Sequence, residues 1–476
     1  MFCLQLKLPL RRFCNHVDNV VTSKAKPINI PNLNIPEFIW QNLDKWPNRT
    51  AITCFESGKS YTYEQLFKKS LSVAHSLRDV FKLTRQDTIG IVLPNVAEYP
   101  IIVLGALQGG FRVTTVNAQY TSDEIRRQLI NSKSKLVFTL AELVPLVRET
   151  TSIPIVALGT RSGTSGINFQ EIVSKQGGNF IEKVGADEIA FLPYSSGTTG
   201  LPKGVELTHS SIITNLMQLA SPEFTLIPQV QLLGQHPNIT TEDLLPLYLI
   251  TSAAAPLAPA TIHQLRTKTN NKVKFLEGYG MTETSAAAII QTSFLENGVK
   301  IGGSGLVLPN SQVKIIPKDG STMQGLPQNQ AGELILKGPH VTKGYHNNPD
   351  ATKSVFIDGW LRTGDLAYYD EHQHFFIIGR LKDIIKVKGF QVAPTELEEV
   401  LKQHPLVVDC AVVGIPDSVS GEAPKAFVVA KSPVSEKELK NFVAKKVSKY
   451  KRLKRVEFVQ AIPRSPTGKI LKQGLQ

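Results

Sequence analysis

Short apolar runs alternate with amphipathic stretches along most of this 476-residue chain. Thr88 to Leu93 reads as a buried strand, Glu98 to Gly109 as a helix, and Val113 to Val116 as a strand again. Tyr120 to Leu129 reads as a helix, its start signalled by Thr121-Ser-Asp-Glu124, and Lys135 to Thr139 as a further strand. Strand, helix, strand at this spacing argues for parallel α/β layering. Near Phe376 the pattern changes. Phe375 to Ile378 predicts a strand, Glu396 to Gln403 a helix, Asp409 to Gly414 and Ala426 to Ala430 strands, and Glu436 to Val447 a helix. Both helices carry a capping-box pattern, Thr395 with Glu398 and Ser435 with Glu438. The expected fold class is α/β. A large N-terminal domain of layered sheets and helices (residues 35–378) follows an N-terminal extension (1–34) and precedes a small mobile α+β C-terminal domain (379–476).

The chain is 42% apolar and 20% charged, which excludes a wholly disordered protein. No stretch approaches the ~18 apolar residues of a membrane-spanning helix. Ile101 to Phe111 comes nearest and is broken by Gly105, Gly109 and Gly110. Cys3, Cys14, Cys54 and Cys410 are too dispersed for a metal motif and too few for a disulfide framework, which favours a reducing compartment. The net charge of +13 is unevenly spread: from Lys431 onward 13 Lys and Arg stand against three acids. Such a tail suits nucleic acid, an anionic membrane or a phosphate-rich ligand. No RNP, helix-turn-helix or zinc-finger pattern supports nucleic acid. Residues 1–26 hold five basic residues and one acid, a weak transit-peptide signal, and the chain ends Gly-Leu-Gln rather than in a peroxisomal Ser-Lys-Leu. The expected location is cytoplasmic, with mitochondrial as the alternative.

The most informative segment is Tyr194-Ser-Ser-Gly-Thr-Thr-Gly-Leu-Pro-Lys-Gly204, which follows a strand-like Ile189 to Leu192. Gly197, Gly200 and Gly204 let backbone N–H groups approach phosphate oxygens. Ser195, Ser196, Thr198 and Thr199 add hydroxyl donors, and Lys203 adds a positive charge. The spacing is not that of a Walker A loop. Four further blocks follow in order: Glu277-Gly-Tyr-Gly-Met-Thr-Glu283, Gly359-Trp-Leu-Arg-Thr-Gly-Asp365, Gly379 to Pro394, and Pro463-Arg-Ser-Pro-Thr-Gly-Lys469.

On these five blocks the chain resembles the adenylate-forming superfamily from about Ile35 to Leu471, and within it the acyl-CoA synthetase and 4-coumarate-CoA ligase branch. The resemblance implies an acid–CoA ligase that joins an aryl or fatty acid to CoA at the expense of ATP, releasing AMP and pyrophosphate. It implies that Gly278, Tyr279 and Gly280 lie against the nucleotide, with the Tyr279 ring offered to adenine. Thr282 would serve the α-phosphate, and Glu283 would hold Mg²⁺. Asp365 and Arg380 would bind the ribose. Lys469 would stabilise charge in adenylate formation. The small domain would then turn about Gly379 and Arg380 and present Lys386, Lys388, Gly389 and Gln391 for the CoA step. Ala253, Ala254, Ala255 and Met281 are the acid-pocket candidates. Ala253 stands where relatives often carry glycine and could crowd the adenylate. The expected partners are a small-molecule carboxylic acid, ATP and CoA, with oligomeric state open.

The chain departs from the resemblance in one respect. Only Met217 to Thr225 separates His209-Ser-Ser-Ile212 from a helix-like Leu226 to Leu233. On the order of 60 residues, about two βα units, are missing there. The missing stretch resembles one that lines the acyl pocket. That leaves two alternatives to a full ligase: an internally deleted, catalytically impaired isoform or paralogue that binds nucleotide, or an adenylation domain serving a carrier protein. No carrier segment follows Lys469, which favours free CoA as acceptor.

Overall fold

A computed structural model describes residues 18–159, 166–175, 181–195, 202–224, 249–253, 262, 266–270, 272–292, 295, 298–388, 390–464 and 470–475. Its first layer is a sheet of seven strands in the order Leu207–Thr208, Ile189–Phe191, Arg112–Val116, Thr88–Val92, Ser134–Leu140, Ile155–Leu158, Ile167–Asn168. Thr88–Val92 lies at its centre, buried along its whole length and parallel to Arg112–Val116 and Ser134–Leu140. This is the covered, β-branched strand that parallel sheets require. The helices expected between these strands run Tyr99–Gln108 and Ser122–Asn131, and Thr121 and Glu124 close a capping box on the second. Tyr99–Gln108 packs against helix Tyr63–His75 at Gly105, where a Cβ atom would stand 2.6 Å from Val73.

A second sheet joins Leu249–Ser252 parallel to Lys274–Tyr279, which continues antiparallel through Ile289–Ile290 to Leu306–Val307. A third is antiparallel, built on Gln312–Ile316, Gly332–Lys337, Trp360–Tyr369 and Phe375–Arg380. The described part of the N-terminal extension docks on this third sheet. Val21–Thr22 pairs with it as a strand, and the Asp18 carboxylate accepts from Lys314 Nζ at 2.9 Å. The first 17 residues of the extension lie outside the described residues, as does the helix expected at Leu226 to Leu233.

The small C-terminal domain has its own five-stranded sheet, centred on the long hairpin Val407–Asp417 and Gly421–Ala430. Its own core includes Ile385, Leu397, Cys410, Val428 and Leu439. Its helices run Pro394–Lys402 and Glu436–Ala444. The capping box expected at Thr395 does not form. Pro394 occupies the first helical position, where its missing N–H costs nothing, so the helix starts earlier with Ala393 as its N-cap. Thr395 Oγ1 instead donates to the Ile378 carbonyl, tying the helix to the strand that leads into the small domain. Ser435 does cap its helix, accepting from the Glu438 N–H at 3.1 Å, while the Glu438 carboxylate faces His404 at 3.5 Å rather than closing a box.

Three histidines are sealed in the large domain. His209, His340 and His374 are each at most 1% exposed, and burial lowers the pKa of each to about 4. His209 Nδ1 accepts the Ile35 N–H at 3.1 Å, so its neutral form anchors the N-terminal segment. A base whose folded pKa lies below its unfolded value contributes stability above the unfolded value and loses it as pH falls through the folded one. The expected outcome is a fall in the thermal unfolding midpoint as pH drops from about 6.5 towards about 4, with each histidine withdrawing on the order of 3 kcal/mol. A His374→Leu chain should lose less over the same interval; equal losses in the two chains would remove His374 from this account.

Candidate active site

The ends of the glycine-rich loop are fixed by a two-stranded ribbon, Tyr194–Ser195 against Lys203–Gly204, with Ser195 directly opposite Lys203. The loop's own Ser196, Gly197, Thr198, Thr199 and Gly200 lie outside the described residues. Tyr194 packs over Gly204, and its hydroxyl donates to Asn131 Oδ1 at 2.6 Å. Ser195 Oγ points the other way and donates to Glu283 Oε1 at 2.9 Å.

Glu283 lies on a single 3₁₀ turn, Thr282–Thr284, that follows strand Lys274–Tyr279. The turn is locked by Thr284 Oγ1, which donates to the Met281 carbonyl at 2.9 Å and accepts from the Met281 N–H at 3.0 Å. Gly280 is required here, because a Cβ atom would stand 1.9 Å from the Ala286 carbonyl oxygen. The loop therefore folds back on itself and carries Thr282 and Glu283 towards the ribbon. Glu283 is 3% exposed, and Tyr345 Oη donates to the same Oε1 at 2.8 Å. Among the described residues no lysine, arginine or histidine forms a salt bridge with it. A buried carboxylate held only by neutral hydroxyls matches the donor chemistry of a hard divalent cation, so the residues fit Mg²⁺.

Asp365 and Arg380 are direct cross-strand neighbours in the hairpin Trp360–Tyr369 and Phe375–Arg380. Arg380 Nε lies 2.8 Å from Asp365 Oδ1, and Tyr279 Oη donates to Oδ2 at 2.6 Å. Burial, with the Asp365 charge adding to it, raises the Tyr279 pKa, so the phenol stays a donor. Tyr279 thus ties the second block to the third, and three residues of chain connect it to Glu283. The short stretch Tyr279 to Glu283 joins the two halves, since Tyr279 bonds Asp365 and Glu283 bonds Ser195 and Tyr345. Burial raises the pKa of Glu277, the first residue of that block, to about 7, opposed by the Gly302 N–H and reinforced by Glu399 of the small domain.

Other predicted residues fall elsewhere. Lys386 and Lys388 are exposed on the small-domain hairpin Ile385–Val387 and Phe390–Val392, with Lys388 at φ +50° in its turn. Gly379 closes the third sheet opposite Leu366. Met281 packs against the core of that sheet, and Ala253 is exposed. Lys469, Gly389, Ala254, Ala255 and the Gln391 side chain lie outside the described residues. Tyr345 escaped the sequence reading; its one signal is an aromatic residue within the polar, turn-like Lys343-Gly-Tyr-His-Asn-Asn-Pro-Asp350.

A two-domain α/β chain with a ribbon-ended phosphate loop, a sealed carboxylate and an Asp–Arg–Tyr constellation is an adenylate-forming enzyme in architecture. The chain belongs to the AMP-binding enzyme family: that family's model matches residues 39–237 and 224–346, and the model of the AMP-binding enzyme C-terminal domain matches 396–469. It is 34% identical to 4-coumarate–CoA ligase 3 of Oryza sativa subsp. japonica, over 96% of this chain and 94% of that protein. It is 33% identical to 4-coumarate–CoA ligase 1 of Petroselinum crispum, over 96% of each. Among solved structures it resembles ATP-bound MatB from Rhodopseudomonas palustris, with TM-score 0.83 and 25% identity over 94% of this chain and 98% of that one. The same protein without ATP superposes less well, at 0.72.

The comparisons also bear on the short segment. The alignment with the rice ligase spans 528 positions, 52 more than this chain has residues, so at least 52 have no counterpart here. The family model's match divides at 224–237, beside the segment expected to be short. The impaired alternative is not favoured, because the relatives and structural neighbours are CoA ligases.

Arg380 partly shields Asp365, which is itself 4% exposed. Replacing Arg380 with Gln should cost about 1–3 kcal/mol, because it removes the guanidinium that lies 2.8 Å from a buried carboxylate. Urea unfolding of the purified chain measures this; an unchanged midpoint would show that solvent already satisfies Asp365.

Proposed function

We propose that the chain is an AMP-forming acid–CoA ligase acting on an aryl or fatty acid. The observation that carries this reading is the joining of Ser195, Glu283, Tyr279, Asp365 and Arg380 in one site. In the first step a carboxylate oxygen of the acid bonds to the α-phosphorus of ATP. The bond from that phosphorus to the bridging oxygen breaks, and pyrophosphate leaves. In the second step the CoA sulfur bonds to the acyl carbon, AMP departs, and the thiol proton passes to solvent.

Asp365 can accept from the ribose hydroxyls once they compete with Tyr279 and Arg380 for its oxygens. Thr282 offers a hydroxyl beside the α-phosphate, and Lys203 enters from the ribbon as a fixed positive charge. A Mg²⁺ ion held by Glu283 would offset the phosphate charge as the pyrophosphate bond lengthens. Lys469 is assigned to the first step and Lys386, with Lys388 and Gln391, to the second, after a turn of the small domain about Gly379 and Arg380. Lys386 is exposed on the small-domain hairpin, which supports its assignment to a step made after that domain moves.

The test is acid-dependent ATP–pyrophosphate exchange with a panel of aryl and fatty acids, followed by CoA-dependent AMP release. Exchange with at least one acid is expected. Lys469→Ala should lower exchange by 10²-fold or more, whereas Lys386→Ala should keep exchange and lose thioester formation. Nucleotide binding with no exchange on any acid would overturn the ligase reading.

A further inference from the structure

The segment Thr342 to His346 is bound on both sides. Its Thr342 N–H donates to the Glu283 carbonyl at 2.8 Å, and Thr342 Oγ1 to the Glu206 carbonyl at 2.7 Å. The Glu206 N–H donates to the Gly344 carbonyl at 3.0 Å, the His346 N–H to the Gly204 carbonyl at 2.8 Å, and Tyr345 bridges Val205 as an isolated strand pair. The segment is thus a strap that spans from the ribbon of the phosphate loop to the Glu283 turn, and Tyr345 sits at its centre, 9% exposed.

Two features of Tyr345 go beyond packing. Its hydroxyl and that of Ser195 both donate to Glu283 Oε1, which occupies both lone-pair directions of that oxygen. Oε2 accepts no hydrogen bond from a described side chain. The ring also carries Lys203 Nζ 5.3 Å from its centroid. A cation over the ring draws electron density from the phenol and strengthens its O–H as a donor.

We propose that Tyr345 is a positioning residue: it holds the Glu283 carboxylate by Oε1 so that Oε2 is presented to the divalent cation carried by the nucleotide, and its ring places Lys203 at the same phosphates. This rests on the ligase reading above. The Tyr345 hydroxyl donates to Glu283 Oε1 at 2.8 Å, and the ring is clamped against Val205 and Leu207, so the direction of that bond is fixed by packing. Outer-shell donors of this kind set ligand orientation and are typically worth 10-fold or more in metal affinity.

Tyr345→Phe keeps the ring, its packing against Val205 and Leu207, and the platform for Lys203, and removes the hydroxyl alone. Calorimetric titration of the full chain with ATP is run in EDTA and in Mg²⁺. The expected result is that Tyr345→Phe binds ATP in EDTA as the parent does, while the affinity gained on adding Mg²⁺ falls about tenfold. The thermal unfolding midpoint should stay close to that of the parent. In a Glu283→Gln background the same change should have no further effect on the Mg²⁺ gain. Equal weakening in EDTA and in Mg²⁺, or full additivity in the double variant, would overturn the proposal by making Tyr345 a packing residue. If the parent binds no ATP under either condition, the ligase reading fails, and this assignment fails with it.

Discussion

One buried carboxylate holds the phosphate end of this site together. Glu283 is sealed from water, carries no basic partner among the described residues, and is gripped at one oxygen by hydroxyls from two distant parts of the chain. Burying a charge is expensive unless something compensates it. Here the compensation is partial, and the chain tolerates it by fixing the turn around Glu283 from within, through Thr284, and from outside, through the Thr342 to His346 strap. The same rigidity that bears the cost also places Ser195 and Lys203 at the ends of the phosphate loop. A site with a neutral residue at position 283 would relieve the burial cost and lose the reason for the strap.

The nucleoside end is organised by a different device. Asp365 and Arg380 face each other because a hairpin register puts them opposite, and Tyr279 reaches them from another sheet. Arg380 is also the last residue of its strand, five residues before the small-domain sheet begins at Ile385. The strand that carries Arg380 therefore leads from the Asp365 constellation into the small domain. Thr395 reinforces this junction by bonding back to the Ile378 carbonyl instead of capping its own helix. At this junction the backbone of Gly379 sits at φ +154°, a conformation that glycine adopts without the cost a side chain would bring.

Much of this was legible in the sequence, and the losses have identifiable causes. The strands around Thr88–Val92 and the helix capped by Thr121 are local: β-branched runs and a hydroxyl–carboxylate pair decide them within a few residues. The Thr395 capping box was misread because two local signals competed, and Pro394 at the helix start outranked the hydroxyl that follows it. Tyr345 was invisible for another reason. It reaches Glu283 from 62 residues away, and no spacing in the chain encodes that approach. Asp365 and Arg380 were named individually from their blocks, but their pairing is a property of register, which the blocks alone do not state.

The shortened segment near residues 217–226 can be weighed in the same physical terms. The contacts that join Ser195, Glu283, Tyr345, Tyr279, Asp365 and Arg380 are made within 194–204, 274–286, 342–346 and 360–380. Helix His209–Ala220, which leads into it, is firmly held: Gln218 donates to the Pro309 carbonyl at 2.6 Å, and Asn215 exchanges hydrogen bonds with the backbone of Ala287. The Asn215 bonds fix the helix to the loop that carries Thr282 and Glu283. The helix is therefore held in place on the N-terminal side of the segment. Among the described residues the second sheet retains two parallel strands and two short antiparallel ones. The alignment with the rice ligase leaves at least 52 positions without a counterpart in this chain, while every residue of the Glu283 and Asp365 constellations is present and held by the contacts described above.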